Sequence, residues 1–501
     1  MDEPFFLAVA RQILRDPAHP LSFAFNWYGW AQPMAEINNT PPVLPYLLAG
    51  ALKISGGGEF WTRACFFPLD LAAAWSLLAL ASRFLKKPLW PVLIVLAGPA
   101  WALNLHHAMA ERVMAGFAFP ALWLAVVAAD EADARAFLVS AVLAALALLS
   151  KYNALFVIAP ALVYGRSRGT SWMRLAVWCA VASTGIVLAQ AWNLSAGASG
   201  VGAAWGASSQ AAAMAWSAPS HRLRALLAFS GGLALPWIYL SVRLEPSRRG
   251  LFASAFLCAV LFGPWLDLAA VRPIDRLAGF LFAWGACVSA WTLSRGTRGR
   301  GFPLWASWAA SVAVLQLLYW AVMARFVAFL LPPLAFGLWE RLEDESPKRL
   351  DAAGRACFAA AAAFCAALAL VDRAYADAQR SAAAVAAARV RPGAAIWFSG
   401  HWGLQEYLLA AGARQLDART GGWDSVRAGD LVVVAERNTN RLDPARPRLS
   451  NASVVDVQSA IPLRLLGDGK DEAGFYSSGM GFLPWALSTA PVETFTFVSP
   501  L

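Results

Sequence analysis

The sequence predicts a polytopic α-helical membrane protein with a small α/β domain at its C-terminal end. Three observations lead there. Of 501 residues, 59% are apolar and only 14% are charged, whereas soluble chains carry about a quarter charged residues. The apolar residues fall into a ladder of runs approaching the ~20 residues that a bilayer-crossing helix needs. Beyond Val371 the ladder stops, and short strand-forming and turn-forming segments replace it.

Residues 1–63 read as a first extracytoplasmic loop. It opens with Asp2-Glu3-Pro4 on a short amphipathic helix and passes through the Pro41-Pro42 turn into a second apolar helix. Residues 64–371 hold about twelve candidate spans. The first six are Ala64–Ser82, Leu89–His107, Val113–Ala129, Ala136–Ser150, Ala154–Gly165 and Trp172–Trp192. The second six are Leu223–Val242, Gly250–Leu266, Leu277–Ser294, Phe302–Met323, Phe326–Trp339 and Arg355–Val371. Several are short for a perpendicular crossing, so breaks, tilts or fusions are expected around Lys151 and Arg325. Residues 372–501 read as strand (Ala394–Phe398), Gly400-His401-Trp402-Gly403 turn, helix (Leu404–Ala411) and a Val-rich strand (Leu431–Val434), a small α/β domain.

The basic residues set the orientation. Clusters such as Arg83, Lys86, Lys87 and Arg243, Arg248, Arg249 fall in alternate loops, while the opposite set is sparse: Arg112, Lys151, Arg222, Arg272, Arg276 and Arg325. The richer set should face the cytoplasm. That puts Asp2, Glu111 and the tail together outside, in a multi-pass protein of a bacterial inner membrane. The net charge of +10 is this orientation signal and excludes no membrane role; no basic face with interleaved aromatics points to nucleic acid. Six cysteines, none in a CxxC pair, all lie in apolar runs and read as core residues. The first twenty residues carry charges and prolines, unlike the apolar core of a cleavable signal peptide.

Asp2-Glu3-Pro4-Phe5-Phe6, Asn26-Trp27-Tyr28-Gly29 and Asn38-Asn39-Thr40-Pro41-Pro42-Val43-Leu44 follow one another ahead of the first spans. Trp61-Thr62-Arg63, Ala108-Met109-Ala110-Glu111 and Leu149-Ser150-Lys151-Tyr152-Asn153-Ala154 come next. In this order they resemble the C-type (GT-C) membrane glycosyltransferases, specifically bacterial relatives of protein O-mannosyltransferases and lipid A aminoarabinose transferases. Gly400-His401-Trp402-Gly403 and Gly474-Phe475-Tyr476 resemble tail elements of the same family. Two departures stand out. Family members have a transmembrane helix before the Asp-Glu pair, expected here upstream of Met1, and their second acidic motif usually holds Asp where this chain has Glu111.

The resemblance implies inverting transfer of a monosaccharide from a polyprenyl-phosphate donor to a lipid, glycan or protein hydroxyl, with Asp2 as base and Glu3 beside it. Such chemistry needs a group to take the acceptor proton and cations to stabilise the departing phosphate. Arg325, Lys151 and Arg63 are the candidate phosphate ligands. Arg325 leads because it interrupts a nearly continuous apolar run. Tyr28, Glu36, Asn39 and Glu111 are candidates for the acceptor and sugar loop, with Trp27 and Trp30 as further stacking surfaces. His106 and His107, with Glu111 nearby, are the weak candidates for a divalent metal, the only cofactor in view.

Each residue also has a plainer reading. Asp2 and Glu3 would complement a helix dipole, Lys151 would snorkel, and Glu36 and Asn39 would shape a turn. The Gly400–Gly403 turn would be structural rather than an anion site. Two other functions stay open: a lipid-linked sugar transporter, which calls for a polar path across the bilayer and paired broken helices, and a catalytically silent polyprenyl-phosphate-binding member of the fold.

Overall fold

The computed structural model describes residues 2–38, 40–105, 107–202, 218–244, 247–266, 271–295, 299–345, 350–442, 452–467, 469 and 471–499. Asn39 and His106 lie outside the described residues. Among the described residues, five helices are long and apolar enough to cross a membrane: Glu59–Ala81, Ala110–Glu131, Trp172–Ser195, Pro273–Ser294 and Leu350–Arg389. A sixth forms if the pair Pro219–Gly232 and Leu235–Leu244, bent by 85°, is one span. Val43–Ser55, Ala134–Ser150, Arg249–Leu261 and Phe302–Leu318 are shorter apolar helices. The even ladder of about twelve spans suggested by hydropathy is thus a mixture of long, short and broken helices.

The breaks have local causes. The run Leu89–His107 splits at Gly98 into Leu89–Ala97 and Pro99–Leu105, because Pro99 has no N–H to continue a helix and suits the start of one. The 85° bend follows Gly231-Gly232 and precedes Pro236, residues that favour kinks. Gly231 is also where two helices meet backbone to backbone: a Cβ there would lie 1.8 Å from the Phe282 carbonyl oxygen. Ala134–Ser150 ends where Lys151 turns extended, at φ −162° and ψ 136°. Phe302–Leu318 likewise ends at Tyr319, with ψ 155°. Two of the three predicted phosphate cations, Lys151 and Arg325, therefore sit at or just past breaks, where non-helical backbone must be covered by protein or line a cavity.

Leu350–Arg389 has 40 residues, about 60 Å at ~1.5 Å per residue, roughly twice a hydrocarbon core. Its first half packs in the helical bundle through Cys357, Ala361, Leu368 and Val371. Its second half puts Ala378, Ala382, Ala383 and Ala386 against the tail sheet. The expected boundary at 371 falls inside this one helix, which is a stem shared by both regions.

The strands, in chain order, are β1 (Ala24–Asn26), β2 (Ala31–Pro33), β3 (Ile396–Ser399), β4 (Arg414–Gln415), β5 (Leu431–Ala435), β6 (Ala452–Val457), β7 (Leu463–Arg464), β8 (Ala486–Leu487) and β9 (Glu493–Val498). Strands β3, β4, β5, β6 and β9 form one sheet in the order β4-β3-β5-β9-β6. Strand β3 is parallel to β4 and β5, and β9 is antiparallel to β5 and β6. The helix after β3 runs Trp402–Ala410. Residues 463–487 leave this sheet and enter the bundle: Phe475, Phe482, Leu483 and Ala486 join its core, and the Trp485 indole donates to the Gly232 carbonyl at 2.9 Å.

The first loop packs on both parts. Phe5, Phe6, Val9 and Ile13, one face of the helix Glu3–Arg15, bury against Leu44, Leu48, Met109 and Val113. The β1–β2 hairpin is stitched to the tail by hydrogen bonds. Asn26 Nδ2 donates to the Leu416 carbonyl (3.0 Å), the Ala31 N–H to Asp417 (2.9 Å), the Ala418 N–H to the Gly29 carbonyl (3.0 Å) and Asn440 Nδ2 to the Trp27 carbonyl (3.1 Å).

Candidate functional site

Asp2 stands at the N-cap of Glu3–Arg15, yet its side chain makes no capping hydrogen bond. Its Oδ2 instead accepts from Arg325 Nη1 at 2.9 Å. Arg325 Nε lies 3.1 Å from Glu111 Oε1, and the same oxygen is 2.7 Å from Lys151 Nζ. Four charges of alternating sign thus form one line, Asp2–Arg325–Glu111–Lys151. The Phe326 ring flanks both cations, 5.4 Å from the Arg325 guanidinium carbon and 5.0 Å from Lys151 Nζ.

The line is most open at its Asp2 end, the mouth, and most closed at Glu111. The Asp2 side chain is 31% exposed, those of Arg325 and Lys151 are 13% and 14%, and that of Glu111 is 5%. Charges this buried persist only when paired, and here each has an opposite neighbour. Burial pushes the Asp2 carboxyl up, but the nearby positive charges together, the Arg325 guanidinium foremost, hold the group below the ordinary carboxylate value. Asp2 is thus an ionised carboxylate at the most exposed end of the line, next to a cation.

Glu3 takes a different partner, because successive helical residues point about 100° apart. Its carboxylate accepts from Arg63 Nε (3.1 Å) and Nη2 (2.8 Å) and from the Ala108 N–H (2.6 Å). Burial opposes its ionisation, but the Arg63 bonds prevail and hold the carboxyl well below the usual range. Arg63 also meets Glu59 at 3.6 Å. It is therefore engaged in fastening the first helix rather than in the line that holds Arg325.

The tail reaches the same mouth. His401, buried in the turn after β3, sets its ring 4.4 Å from the Trp27 ring, edge to face. Its Nδ1 lies 2.8 Å from Asn438 Oδ1 and 2.9 Å from the Thr439 carbonyl. Both are acceptors, so the proton is assigned to Nδ1. Burial pushes this imidazole down to about 4, so it is neutral near pH 7. Gly400 has φ +119°, and a Cβ there would meet the Asn438 side chain at 2.9 Å; Trp402 has φ +61°. Left-handed backbone at a bulky residue is costly and persists where surrounding structure enforces it. The His401 N–H donates to Asn438 Oδ1 at 3.0 Å, so this part of the turn is already bonded.

Asp2, Arg325, Glu111 and Lys151 come together, and Glu3 and Arg63 form an adjoining pair. Tyr28 is 44% exposed in the β1–β2 turn, its ring 6.2 Å from Trp30. Glu36 is exposed on the turn Met34–Ile37. His107 and Glu111 diverge: His107 Nε2 lies 3.9 Å from Asp372 Oδ2, while Glu111 faces the two cations. Among the described residues no group of three His, Cys, Asp or Glu is placed to hold a metal. Asp372, which accepts from the Tyr476 hydroxyl, was not singled out in the sequence, and neither was the partly buried Tyr319 beside Phe326 (5.3 Å).

Residues 39–193 match the sequence profile of the dolichyl-phosphate-mannose-protein mannosyltransferases. Over these 155 of its 501 residues the chain is similar to those mannosyltransferases. The matched stretch carries Arg63, Glu111 and Lys151 and leaves Asp2, Glu3 and Arg325 outside it. Two crystal structures of ArnT from Cupriavidus metallidurans are also similar. The apo form is 13% identical with TM-score 0.38. The form bound to undecaprenyl phosphate is 14% identical with TM-score 0.40. In each case 87% of this chain and 88% of the other are covered. No curated protein sequence matches significantly.

Proposed function

We propose that this GT-C-like protein transfers a monosaccharide from a polyprenyl-phosphate donor to an extracytoplasmic acceptor hydroxyl, with inversion and with Asp2 as general base. The observation that carries the reading is the line Asp2–Arg325–Glu111–Lys151, a partly open carboxylate joined through the buried Glu111 to two partly buried cations. The donor phosphate engages Arg325 and Lys151 in place of part of their carboxylate contacts. Asp2, partly released from Arg325, becomes a stronger base and takes the acceptor proton. The acceptor oxygen forms its bond to the anomeric carbon as the bond from that carbon to the phosphate oxygen breaks. The phosphate leaves with the electron pair, and the two cations stabilise its charge. Attack opposite the leaving group inverts the anomeric centre without a glycosyl-enzyme intermediate.

An apolar cavity of about 400 Å³ supports a prenyl chain as ligand. It is lined by Val95, Pro99, Leu233, Trp237, Leu331 and Phe364 among others. The exposed Tyr28 and the partly buried Trp30 belong to the acceptor side, where aromatic faces suit sugar rings or an apolar acceptor. In this reading residues 1–63 and 372–501 are extracytoplasmic, residues 64–371 cross a bacterial inner membrane about twelve times, and the broken helices count among the crossings.

The test is incubation of the purified protein in lipid nanodiscs with undecaprenyl-phosphate-linked pentoses and hexoses. Time-dependent release of undecaprenyl phosphate with a glycosylated lipid, glycan or protein is the expected result. Movement of the intact donor across vesicles without release would establish the transporter instead, and tight binding without either would establish the silent member. Orientation has its own check: reporter fusions after Ser82 and Gly165 should read cytoplasmic, and a fusion after Arg389, where the long helix ends, should read extracytoplasmic. A cytoplasmic reading at Arg389 would place the tail away from an external acceptor and overturn the arrangement.

A further inference from the structure

We infer that the tail segment 474–478 is a positioning element for Arg325, so that the C-terminal region tunes binding of the donor phosphate through the bundle loop it grips. The inference rests on the reading of Arg325 as a phosphate ligand. Arg325 sits in the first turn of a helix whose entry is irregular. The helix Phe302–Leu318 ends seven residues before it, and the backbone then runs through Tyr319–Met323 without regular structure. Arg325 is the second residue of the turn Ala324–Val327, which runs on through the 3-10 turn Ala328–Leu330 into the helix Leu331–Glu345. A side chain in a first helical turn is only as well placed as the contacts that fix the entry to that helix.

Those contacts come from the tail. The Ala324 N–H donates to the Phe475 carbonyl at 2.9 Å, and the Ser478 N–H donates to the Val322 carbonyl at 2.8 Å. The Val322 N–H donates to Ser478 Oγ at 3.0 Å. Ser478 therefore satisfies both polar groups of the Val322 backbone, and Phe475 satisfies the residue just before Arg325. Val322, Ala324, Phe475 and Ser478 are all buried, so water is a poor substitute partner for these groups.

The tail segment is itself braced. Tyr476 donates its hydroxyl to Asp372 on the long helix, and His221 Nε2 lies 3.2 Å from the Ser478 carbonyl. The turn closes through the Ser477 N–H to the Gly474 carbonyl (2.9 Å) and the Gly474 N–H to the Leu483 carbonyl (2.7 Å). A Cβ on Gly474 would sit 1.9 Å from the Gly481 carbonyl oxygen, so the turn is too tight for any other residue. The arrangement sets a closed turn of the tail against Tyr319–Met323, the irregular entry to the helix that carries Arg325.

The experiment measures binding of undecaprenyl phosphate to the full-length protein in nanodiscs. Ser478→Ala deletes one acceptor and leaves the backbone bonds in place. It should raise Kd roughly three- to tenfold, the range expected for one buried hydrogen bond. Ser478→Thr, which keeps the hydroxyl, should restore most of the affinity, and His221→Ala should weaken binding in the same direction. In an Arg325→Ala background, Ser478→Ala should change Kd by less than about twofold, because residues acting through one contact are not additive. A purely structural role for the segment predicts equal losses in both backgrounds, and that result, or unchanged affinity in Ser478→Ala, overturns the inference alone. Unchanged affinity in Arg325→Ala by itself overturns the phosphate reading and this inference with it.

Discussion

Replacing Asp2 by Asn is expected to lower sugar transfer by about 10²–10⁴-fold, the usual cost of losing a general base, with polyprenyl-phosphate affinity nearly intact. The amide oxygen can still accept from Arg325 Nη1, now 2.9 Å from the carboxylate, so the geometry of the cation survives while the proton acceptor is gone. The pH profile gives a second signature. Arg325 holds the free Asp2 below the ordinary carboxylate value, so the acidic limb of kcat/KM should lie below that value. Once the donor phosphate shares Arg325, the pull on Asp2 weakens, and the acidic limb of kcat should move to higher pH. Glu3→Gln should behave differently. Its carboxylate is spent on Arg63 and the Ala108 N–H, so it should lower stability more than chemistry. Near-normal turnover by Asp2→Asn in a folded protein would end the assignment of Asp2 and move the search to Glu111.

Much of the architecture was legible because it rests on periodicity and composition. The apolar runs mark helices, and Gly400-His401-Trp402-Gly403 after a strand-forming run marks a turn. What hydropathy does not register is where a run breaks. Gly98-Pro99 and Gly231-Gly232 divide two runs that a sliding reading treats as single spans. The tail illustrates a second limit. Residues 463–487 look like loop because they are short and irregular, yet their placement against the bundle depends on contacts from Val322, Gly232 and Phe282, far away in sequence.

The candidate site divides in the same way. Asp2 and Glu111 are singled out by the resemblance of their motifs to those of GT-C enzymes, whereas Lys151 and Arg325 are singled out by an unusual setting, because a charge in an apolar run needs a reason. Their joining into one line is a fact of tertiary structure. Arg63 shows why the setting alone does not rank candidates: it too is a cation near the loop, but its fork is filled by Glu3. His401 went unranked because its burial against Trp27 arises only when the tail docks on the hairpin.

Arg325→Ala is expected to produce the largest loss of donor binding. Arg325 bridges two carboxylates 323 and 214 residues away in sequence, at 2.9 Å and 3.1 Å, and in the proposed complex it meets the phosphate as well. A charge-assisted hydrogen bond contributes roughly 1.5–3 kcal/mol, so undecaprenyl-phosphate Kd should rise about 10- to 150-fold. The fold should survive better than the affinity, because Glu111 keeps Lys151 at 2.7 Å and Asp2 is exposed enough to be solvated. Asp2 would also lose the cation that depresses it, so residual transfer in this variant should have its acidic limb at higher pH than the wild type. Arg325→Lys should recover only part of the affinity, since one ammonium has no planar fork with which to bridge Asp2, Glu111 and a phosphate together. A well-folded Arg325→Ala protein that binds undecaprenyl phosphate as tightly as the wild type would remove Arg325 from the phosphate site and leave Lys151, at the other end of the same line from Asp2, as the residue to test.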